Sequence, residues 1–158
     1  MAGFVGAGLM IVYPAGDRGR VLLGRRNIHP FRGHWTFPGG GSKPGEPLWQ
    51  CAIRETEEEI CGKRSLEDVF GDAYEGGASM REPGEPWRLH IPLVMRWETH
   101  ALVLARPPAL DRLKRNREFT DVAAFPFDAL PRPLHFGVTR ALSFFQKRGI
   151  VPRWHRGE

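Results

Sequence analysis

The stretch that decides the fold runs from Gly40 to Gly62 and reads GGSKPGEPLWQCAIRETEEEICG. It opens with a glycine-rich turn, where the missing side chains allow a ligand to approach the backbone closely. Pro47 to Ile60 then predicts an α-helix, because proline stands in the first turn, few residues are β-branched, and Glu46 lies at the positive end of the helix. Gly62 follows as a stop signal, so the stretch predicts a turn and then a helix with a defined end.

Acidic side chains crowd one side of this predicted helix. At about 100° per residue, Glu55, Glu58 and Glu59 point in nearly the same direction, whereas Glu57 points away. Like charges at this spacing destabilise a helix, and a divalent cation such as Mg²⁺ or Mn²⁺ would offset their repulsion. A solvated acidic helix face is the alternative interpretation of the same residues.

The other residues of the helix favour the cation site. A stripe opposite the acids can pack on a sheet; it consists of Leu48, Ala52 and Thr56. Arg54 can reach Glu57 or Glu58 along the helix surface and hold that carboxylate in place. The sequence therefore predicts a helix that buries one side and presents carboxylates on the other.

The rest of the chain predicts strands and a second helix. Gly8 to Tyr13 and Arg20 to Gly24 predict a hairpin around a turn at 14–17, and Trp35 to Phe37 predicts a short strand after a loop. Downstream, the pattern predicts strands at 65–73, 89–97, 99–105 and 122–127, a mobile loop at 75–86, a basic connection at 107–117 and an amphipathic helix at 138–148. This mixture predicts an α/β fold with helices on both faces of a mixed β-sheet.

Length and composition favour one soluble, globular domain over residues 1–158. Of the residues, 41% are hydrophobic and 26% are charged, and no apolar run is long enough to span a membrane. We expect a core at residues 8–148 and a short tail at 151–158. Two cysteines, Cys51 and Cys61, and the absence of a signal-peptide pattern predict a cytoplasmic protein with reduced thiols.

The formal net charge of +5 suits an anionic partner, either a phosphate ester or a nucleic acid. The basic residues are spread along the chain, and no RNP, zinc-finger or helix-turn-helix signature accompanies them. A small-molecule nucleotide is therefore the favoured partner, and a nucleic acid is the less favoured one.

The spacing of the charged residues resembles the Nudix box, G-x5-E-x7-R-E-U-x-E-E-x-G-U, in which U is usually a bulky aliphatic residue. Gly40 is followed after five residues by Glu46, and after seven more by the run from Arg54 to Glu59. WTFPGG at 35–40 resembles the family's lead-in, and FPFDALP at 125–131 resembles the strand and turn before its last helix. The resemblance covers residues 8–148. The positions that depart from the box are Thr56, Cys61 and Gly62.

The resemblance implies a Nudix fold, an α/β/α sandwich, and a pyrophosphohydrolase that depends on Mg²⁺, or on Mn²⁺ in its place. Metal oxygens would come from Gly39, Glu46, Glu55, Glu58 and Glu59. Arg54 would orient a glutamate. The general base would be a box glutamate such as Glu58 or the later acid Glu118, with Asp121 as a weaker alternative.

The box sets the chemistry but not the leaving group. Substrate contacts are expected from rings and guanidinium groups near the glycine turn; these residues are Arg25, Arg26, Phe31, Arg32 and Trp35. The expected substrate is a nucleoside triphosphate or another nucleoside diphosphate-linked molecule. Two alternatives stay open: a non-catalytic nucleotide-sensing module of Nudix type, and an RNA 5′-end pyrophosphohydrolase. A homodimer is expected from the family resemblance alone.

Overall fold

A computed structural model describes residues 3–76 and 79–154 of the chain. Within these residues, seven strands and three α-helices are present. The strands are β1 (Phe4–Ala15), β2 (Arg18–Arg26), β3 (Trp35–Thr36), β4 (Gly39–Gly41), β5 (Trp87–Ile91), β6 (Met95–Val103) and β7 (Phe119–Pro126). The helices are α1 (Leu48–Ile60), α2 (Leu66–Phe70) and α3 (Phe136–Lys147), and 3-10 turns cover Gly71–Ala73 and Leu110–Arg112.

The strands form one mixed sheet, with β3, β2, β1, β6 and β5 in that order. β1 and β6 run parallel, with Val12 opposite Val103, whereas the other pairs are antiparallel. β4 pairs with the first half of β1, and β7 pairs with β2. Gly39–Gly41, which we call the glycine turn, thus forms a short strand held against the long central strand β1 and not the turn that the sequence predicts.

Both faces of the sheet are covered, and the alternation along β1 reveals the two layers. Leu9, Ile11 and Tyr13 belong to the core that contains the buried side of α1. Met10 and Val12 belong to the opposite core, which contains the buried side of α3. The predicted α/β/α sandwich is therefore confirmed.

The acidic helix lies where the sequence predicts it. α1 starts directly after Pro47 and ends at Ile60. The predicted stripe of Leu48, Ala52 and Thr56 is buried, with no member more than 7% exposed. The Thr56 hydroxyl donates to the carbonyl of Ala52 at 2.7 Å, so its polar atom is satisfied inside the core.

The strand predicted at 65–73 is wrong. The segment forms α2 and a 3-10 turn instead, because the Ser65 side chain accepts a hydrogen bond from the amide of Asp68 at 3.1 Å. Glu67 and Asp68 stand in the first turn, where acidic residues stabilise a helix. The apolar residues Val69 and Phe70 are buried, but they belong to a helix and not to the predicted strand.

The boundary between the strands predicted at 89–97 and 99–105 is also wrong. The turn lies at residues 92–94, where the amide of Val94 donates to the carbonyl of Ile91 at 2.9 Å. Leu93 adopts a positive φ of 65°, which reverses the chain there. Consequently Trp97 and Thr99 both belong to β6, with Trp87 of β5 opposite Thr99.

The remaining boundaries differ from the predictions by a few residues. β3 ends at Thr36, β7 starts at Phe119, and α3 starts at Phe136 with the His135 side chain as its cap. The basic connection at 107–117 contains one 3-10 turn. In the predicted mobile loop at 75–86, residues 77 and 78 lie outside the described residues, as do 155–158 of the tail; the loop's mobility stays a prediction. No helix of the described ranges is long and apolar enough to cross a membrane.

Both cysteines are free and fully buried, as expected for reduced thiols. Burial raises the pKa of the Cys51 thiol to about 11 and that of the Cys61 thiol to about 12. We therefore expect neither thiol to react with Ellman's reagent at pH 8 in the folded protein, whereas both react in 6 M guanidinium chloride. Rapid titration of either thiol in the native protein would contradict this packing.

Candidate active site

Three carboxylates from two parts of the chain converge beside the glycine turn. Glu55 and Glu59 lie on α1, whereas Glu118 lies directly before β7. One carboxylate oxygen from each lies within 4.8 Å of the other two. Glu59 is buried, and Glu55 and Glu118 are half-buried. Such a set of oxygen atoms suits a hard divalent cation.

Glu59 is the most buried acid of this cluster. Its Oε1 accepts a hydrogen bond from the amide of Gly39 at 2.6 Å. Burial, together with the hydrogen bond and the negative charge of Glu118, raises the pKa of Glu59 to about 10. Burial also raises the pKa of Glu55. Glu59 therefore keeps its proton at neutral pH when no cation balances the charge of the cluster.

Arg54 contacts three glutamates of the Nudix-like motif, Glu46, Glu55 and Glu58. Its Nε and Nη2 donate to the two carboxylate oxygens of Glu46 at 2.8 and 2.9 Å, which is the bidentate geometry of a guanidinium. Its Nη1 donates to Glu55 at 3.0 Å and to Glu58 at 3.4 Å. Nη2 also donates to the carbonyl of Gly41 at 3.0 Å, so one side chain links the helix to the glycine turn.

Glu46 is thus engaged by Arg54 and by the amide of Lys43, which donates to it at 3.1 Å. The hydrogen bond from Arg54 is the main cause that lowers the pKa of Glu46 to about 2. Glu58 is 43% exposed and lies at the solvent side of the same arginine. The predicted metal roles of Glu46 and Glu58 stay predictions, as does that of the Gly39 carbonyl.

Gly40 allows the turn to pass close to Glu55. A Cβ atom at this position would lie 2.7 Å from the carboxyl carbon of Glu55, which is closer than van der Waals contact permits. The neighbouring Gly41 differs, because the nearest atoms to a Cβ there would be those of the Phe4 ring at 3.4 Å, which is an ordinary contact distance. A side chain at Gly40 would therefore require the Glu55 carboxylate to move.

We expect Gly40→Ala to displace the Glu55 carboxylate and lower kcat/KM about tenfold or more, since small displacements of a catalytic group cost much activity. The free energy of unfolding should change by less than about 1 kcal/mol, because a flexible side-chain end can move. Urea denaturation and steady-state kinetics measure the two effects. Gly41→Ala is the matched control, and equal activity of the two variants would refute the requirement.

Glu118 reaches the cluster because the preceding segment lies along the end of α1. The amides of Lys114 and Asn116 donate to the carbonyls of Ile60 and Glu59, each at 2.9 Å. The Asn116 side chain in turn accepts from the amide of Glu118 at 2.9 Å. The sequence singled out Glu118 by its position before a strand, but it contained no signal for Asn116.

Two other acids lie outside the cluster. Asp121 faces Arg25 across the β2–β7 pair, and its carboxylate accepts from the Thr120 hydroxyl at 3.3 Å. Glu57 points away, as the sequence predicts; it accepts from the amide of Leu66 at 2.8 Å and forms an ion pair with Arg81. The sequence predicts that Arg54 reaches either Glu57 or Glu58. In the structure it contacts Glu58, and Glu57 pairs with Arg81 instead.

The predicted substrate residues lie around the loop at 27–34. Arg25 Nε donates to the carbonyl of Gly33 at 3.3 Å and Arg26 Nε to that of Pro30 at 2.7 Å, so both arginines brace the loop. Arg32 is exposed. Trp35 packs edge-on against Phe125 with 4.9 Å between ring centroids.

Phe31 belongs to an aromatic group that sequence reasoning missed. Its ring is 43% exposed and lies 4.7 Å from the His135 ring, which stacks on Phe136 at 4.5 Å. The backbone brings them together, because the amide of His135 donates to the carbonyl of Trp35 at 2.9 Å. A contact between residues more than 100 positions apart leaves no trace in a single sequence.

A mixed sheet between helices, with a glycine turn facing an acidic helix, is the arrangement that a Nudix fold predicts for this chain. The chain belongs to the Nudix family: the family model described as NUDIX domain matches residues 5–146. This match confirms the predicted family and supports the interpretation of the chain as an enzyme of the pyrophosphohydrolase class.

Two curated relatives from Caenorhabditis elegans match part of the chain. The asymmetrical bis(5′-nucleosyl)-tetraphosphatase is 45% identical over 69 residues, which are 44% of this chain and 49% of that protein. Nudix hydrolase 3 is 43% identical over 56 residues, 34% of this chain and 23% of that protein. The chain thus spans about half the length of the first relative and about a quarter of the second.

Solved structures match over nearly the whole chain. The C. elegans Ap4A hydrolase in a binary complex has a TM-score of 0.65 at 22% identity, covering 92% of this chain and 98% of that one. RenU, a Nudix hydrolase of M. smegmatis, has a TM-score of 0.67 at 20% identity, covering 99% and 92%. At these identities the likeness concerns the fold.

Proposed function

We propose that this chain is a Mg²⁺-dependent Nudix hydrolase, with Mn²⁺ as the alternative cation, that cleaves a pyrophosphate bond in a nucleoside diphosphate-linked substrate. The observation that carries the proposal is the convergence of Glu55, Glu59 and Glu118 within 4.8 Å on a chain whose box retains every charged position. A sensor that has lost catalysis would not need that complete set.

The donor set fits a hard divalent cation. Glu55, Glu59 and Glu118 offer carboxylate oxygens only, which suit Mg²⁺ and Mn²⁺ better than softer metals. Among the described residues, neither Glu59 nor Glu118 forms an ion pair with a cationic side chain, so a divalent cation would balance the charge of these carboxylates. When bound, the cation neutralises the diphosphate and makes the attacking water more acidic.

Side chains of the protein accept the proton and position the carboxylates. Glu118 or Glu58 accepts the proton of the water that attacks phosphorus, and the P–O–P bridge breaks to release two phosphate products. Arg54 is a positioning residue, because its guanidinium binds Glu46 in a bidentate contact and also contacts Glu55 and Glu58. We assign Glu58 and Glu118 as the two candidate bases.

For the substrate, similarity to a bis(5′-nucleosyl)-tetraphosphatase favours dinucleoside polyphosphates as the first class to test. Nucleoside triphosphates follow. Phe31 offers an exposed ring for a nucleobase, and Arg32 an exposed guanidinium for a phosphate. Arg25 and Arg26 contribute chiefly by bracing the loop that carries Phe31, and Trp35 by supporting its base.

The test is release of phosphate products from a substrate panel, with Mg²⁺, with Mn²⁺ and with EDTA. The panel contains dinucleoside polyphosphates, canonical and oxidised dNTPs, ADP-ribose, NADH and 5′-triphosphate RNA. Glu58→Gln and Glu118→Gln are compared with Glu82→Gln, which removes an exposed acid far along the chain from the box. Metal-dependent release that falls at least about 100-fold in a box variant, but not in Glu82→Gln, supports the proposal.

Two results would replace the proposal. Binding of a nucleotide without release in either metal favours the sensing module, and release from RNA alone favours the 5′-end pyrophosphohydrolase. A cytoplasmic location and a homodimer remain parts of the proposal, which fractionation of cells and light scattering of the purified protein would test.

A further inference from the structure

Four consecutive apolar residues are exposed at the turn of the β5–β6 hairpin: Ile91, Pro92, Leu93 and Val94. Phe4, at the start of β1, is also exposed and donates its amide to the carbonyl of Val94 at 3.0 Å. We call this surface the apolar tip; it consists of Phe4 and residues 91–94. β5 is the last strand of the sheet, so the tip lies at its edge. A run of four exposed apolar residues is unusual for a surface that meets only water.

Leu93 has a conformation and an exposure that the fold itself does not explain. Its φ of 65° lies in the left-handed region, which costs energy for a leucine. Its side chain is 84% exposed, so it buries little apolar surface against the described residues. Asparagine or glycine would close the same turn with less strain and without exposed hydrocarbon. A contact from outside the chain would compensate both costs.

Two basic side chains stand directly behind the apolar tip. His90 and Arg96 lie opposite each other in the β5–β6 pair, and both are exposed. Arg96 is always charged, and His90 adds to this charge when its ring is protonated. Neither forms an ion pair among the described residues. Because like charges directly opposite each other destabilise a hairpin, an anionic group that lies across both strands would relieve the repulsion.

The one acid of the hairpin does not balance this charge. Glu98 is the only acidic residue from Trp87 to Val103. Its two carboxylate oxygens contact Arg88 at 3.2 Å and His100 at 3.0 Å. The formal net charge of the chain is +5, so an anionic surface attracts the chain as a whole. The hairpin thus combines an exposed apolar end with a positive charge that its own acid does not neutralise.

We propose that the apolar tip docks on a membrane surface that contains anionic phospholipids. Leu93 and Val94 enter the boundary between headgroups and acyl chains, and Arg96 lies at the level of the lipid phosphates. A lipid surface offers hydrocarbon and phosphate in the order in which the hairpin presents apolar and basic residues. A second copy of the chain fits less well, because pairing through the tips would bring Arg96 of both copies together. Membrane docking does not depend on hydrolysis, so it goes beyond the proposed function.

Co-sedimentation of the full chain with vesicles tests the apolar contact. The vesicles contain phosphatidylcholine alone or mixed with phosphatidylserine, and EDTA keeps metal ions from linking the acidic cluster to lipid. Leu93→Asn removes the hydrocarbon, and the fold is kept because asparagine tolerates a positive φ. The matched control is Leu110→Asn, since Leu110 is also exposed but lies on a 3-10 turn. We expect the apparent Kd for mixed vesicles to rise about tenfold or more in Leu93→Asn and less than about twofold in the control.

Arg96→Gln tests the ionic contact with the lipid phosphates. Its matched control is Arg153→Gln, because Arg153 is also exposed and forms no ion pair among the described residues. The apparent Kd for mixed vesicles should rise about fivefold in Arg96→Gln and less than about twofold in the control. Added salt should weaken the binding of wild type more than that of Arg96→Gln, because salt screens the lost charge.

Hydrolysis of a soluble nucleotide separates docking from the proposed reaction. Neither Leu93 nor Arg96 belongs to the acidic cluster, so both variants should keep the kcat/KM of wild type. If wild type binds mixed vesicles through the apolar tip but hydrolyses nothing, the proposed function fails and membrane docking stands.

Three outcomes overturn membrane docking. One is wild type that does not co-sediment with mixed vesicles. Another is equal weakening of vesicle binding by Leu93→Asn and Leu110→Asn, which would assign the binding to the charge of the whole surface. The third is a dimer that Leu93→Asn converts to a monomer in sedimentation velocity while vesicle binding stays unchanged, which would make the tip an interface between copies of the chain.

Discussion

Glu59→Gln should abolish metal-dependent hydrolysis and yet stabilise the metal-free protein at neutral and alkaline pH. The carboxylate is 3% exposed and lies against Glu118, so its ionisation is costly unless a cation is bound. The amide variant is neutral and keeps a carbonyl oxygen for the amide of Gly39. It loses a charged cluster oxygen, and we expect kcat/KM to fall about 10³-fold or more.

The stability effect has a definite dependence on pH. Burial and Glu118 raise the pKa of Glu59 from 4.5 to about 10, so the folded protein holds a proton that the unfolded chain releases above pH 4.5. Wild-type stability therefore falls as pH rises from about 4.5 towards 10. The glutamine variant lacks this penalty, so its advantage in the free energy of unfolding is absent at pH 4 and grows steadily as the pH rises to 8.

Urea denaturation in EDTA at pH 4, 6 and 8 measures this difference directly. Glu82→Gln serves as the control, since it removes an exposed carboxylate and should show no such trend. Adding Mg²⁺ should raise the melting temperature of wild type but not of Glu59→Gln, because only wild type keeps the full set of carboxylates. A variant that is less stable than wild type at pH 8 in EDTA would contradict the account of Glu59.

The sequence predicted the half of the site that lies on one helix. Within α1, a fixed rotation per residue decides which side chains share a face, so Glu55 and Glu59 could be placed together and Glu57 apart. The burial of Ala52 and Thr56 followed from the same periodicity. Positions on one regular helix are the easiest part of a site to predict.

The predictions that were wrong, and the contacts that were missed, depend on local capping and turns or on contacts between distant segments. The apolar pair Val69 and Phe70 suits a strand or a helix, and the cap from Ser65 decides for the helix. The turn before β6 was misplaced because a positive φ at Leu93, a residue that seldom adopts it, reverses the chain. The contact between Phe31 and His135 joins segments that only the folded sheet brings together.

Arg54→Ala should cost both stability and activity, because this one side chain forms ion pairs with three acids. Its guanidinium is 22% exposed and Glu46 is 13% exposed, so the pair is partly desolvated. Removing one partner of such a pair leaves an uncompensated charge, and we expect a loss of about 2 to 3 kcal/mol in the free energy of unfolding at pH 7. Glu55 and Glu58 lose their shared donor, and kcat should fall about 10- to 100-fold.

Arg54→Lys is the more specific test, since it keeps the positive charge but removes the planar guanidinium that donates to two oxygens at once. A lysine ammonium cannot donate to both oxygens of Glu46 and to Glu55 in the geometry that the planar guanidinium provides. We therefore expect Arg54→Lys to resemble Arg54→Ala in kcat more than it resembles wild type. Wild-type kinetics in Arg54→Lys would show that charge, and not orientation, is what Arg54 contributes.

The pH dependence of stability distinguishes the contribution of the Arg54–Glu46 ion pair from that of side-chain packing. Arg54 lowers the pKa of Glu46 from 4.5 to about 2, so the stabilisation is complete above about pH 4.5 and is lost as pH falls through 2. The difference in stability between wild type and Arg54→Ala should shrink over that window in urea titrations. A double-mutant cycle with Glu46→Gln should give a coupling of at least about 1 kcal/mol at pH 7, which shrinks as the pH falls towards 2. Strict additivity at pH 7 would mean that the bidentate pair contributes nothing, and that Arg54 acts only through the carboxylates of α1.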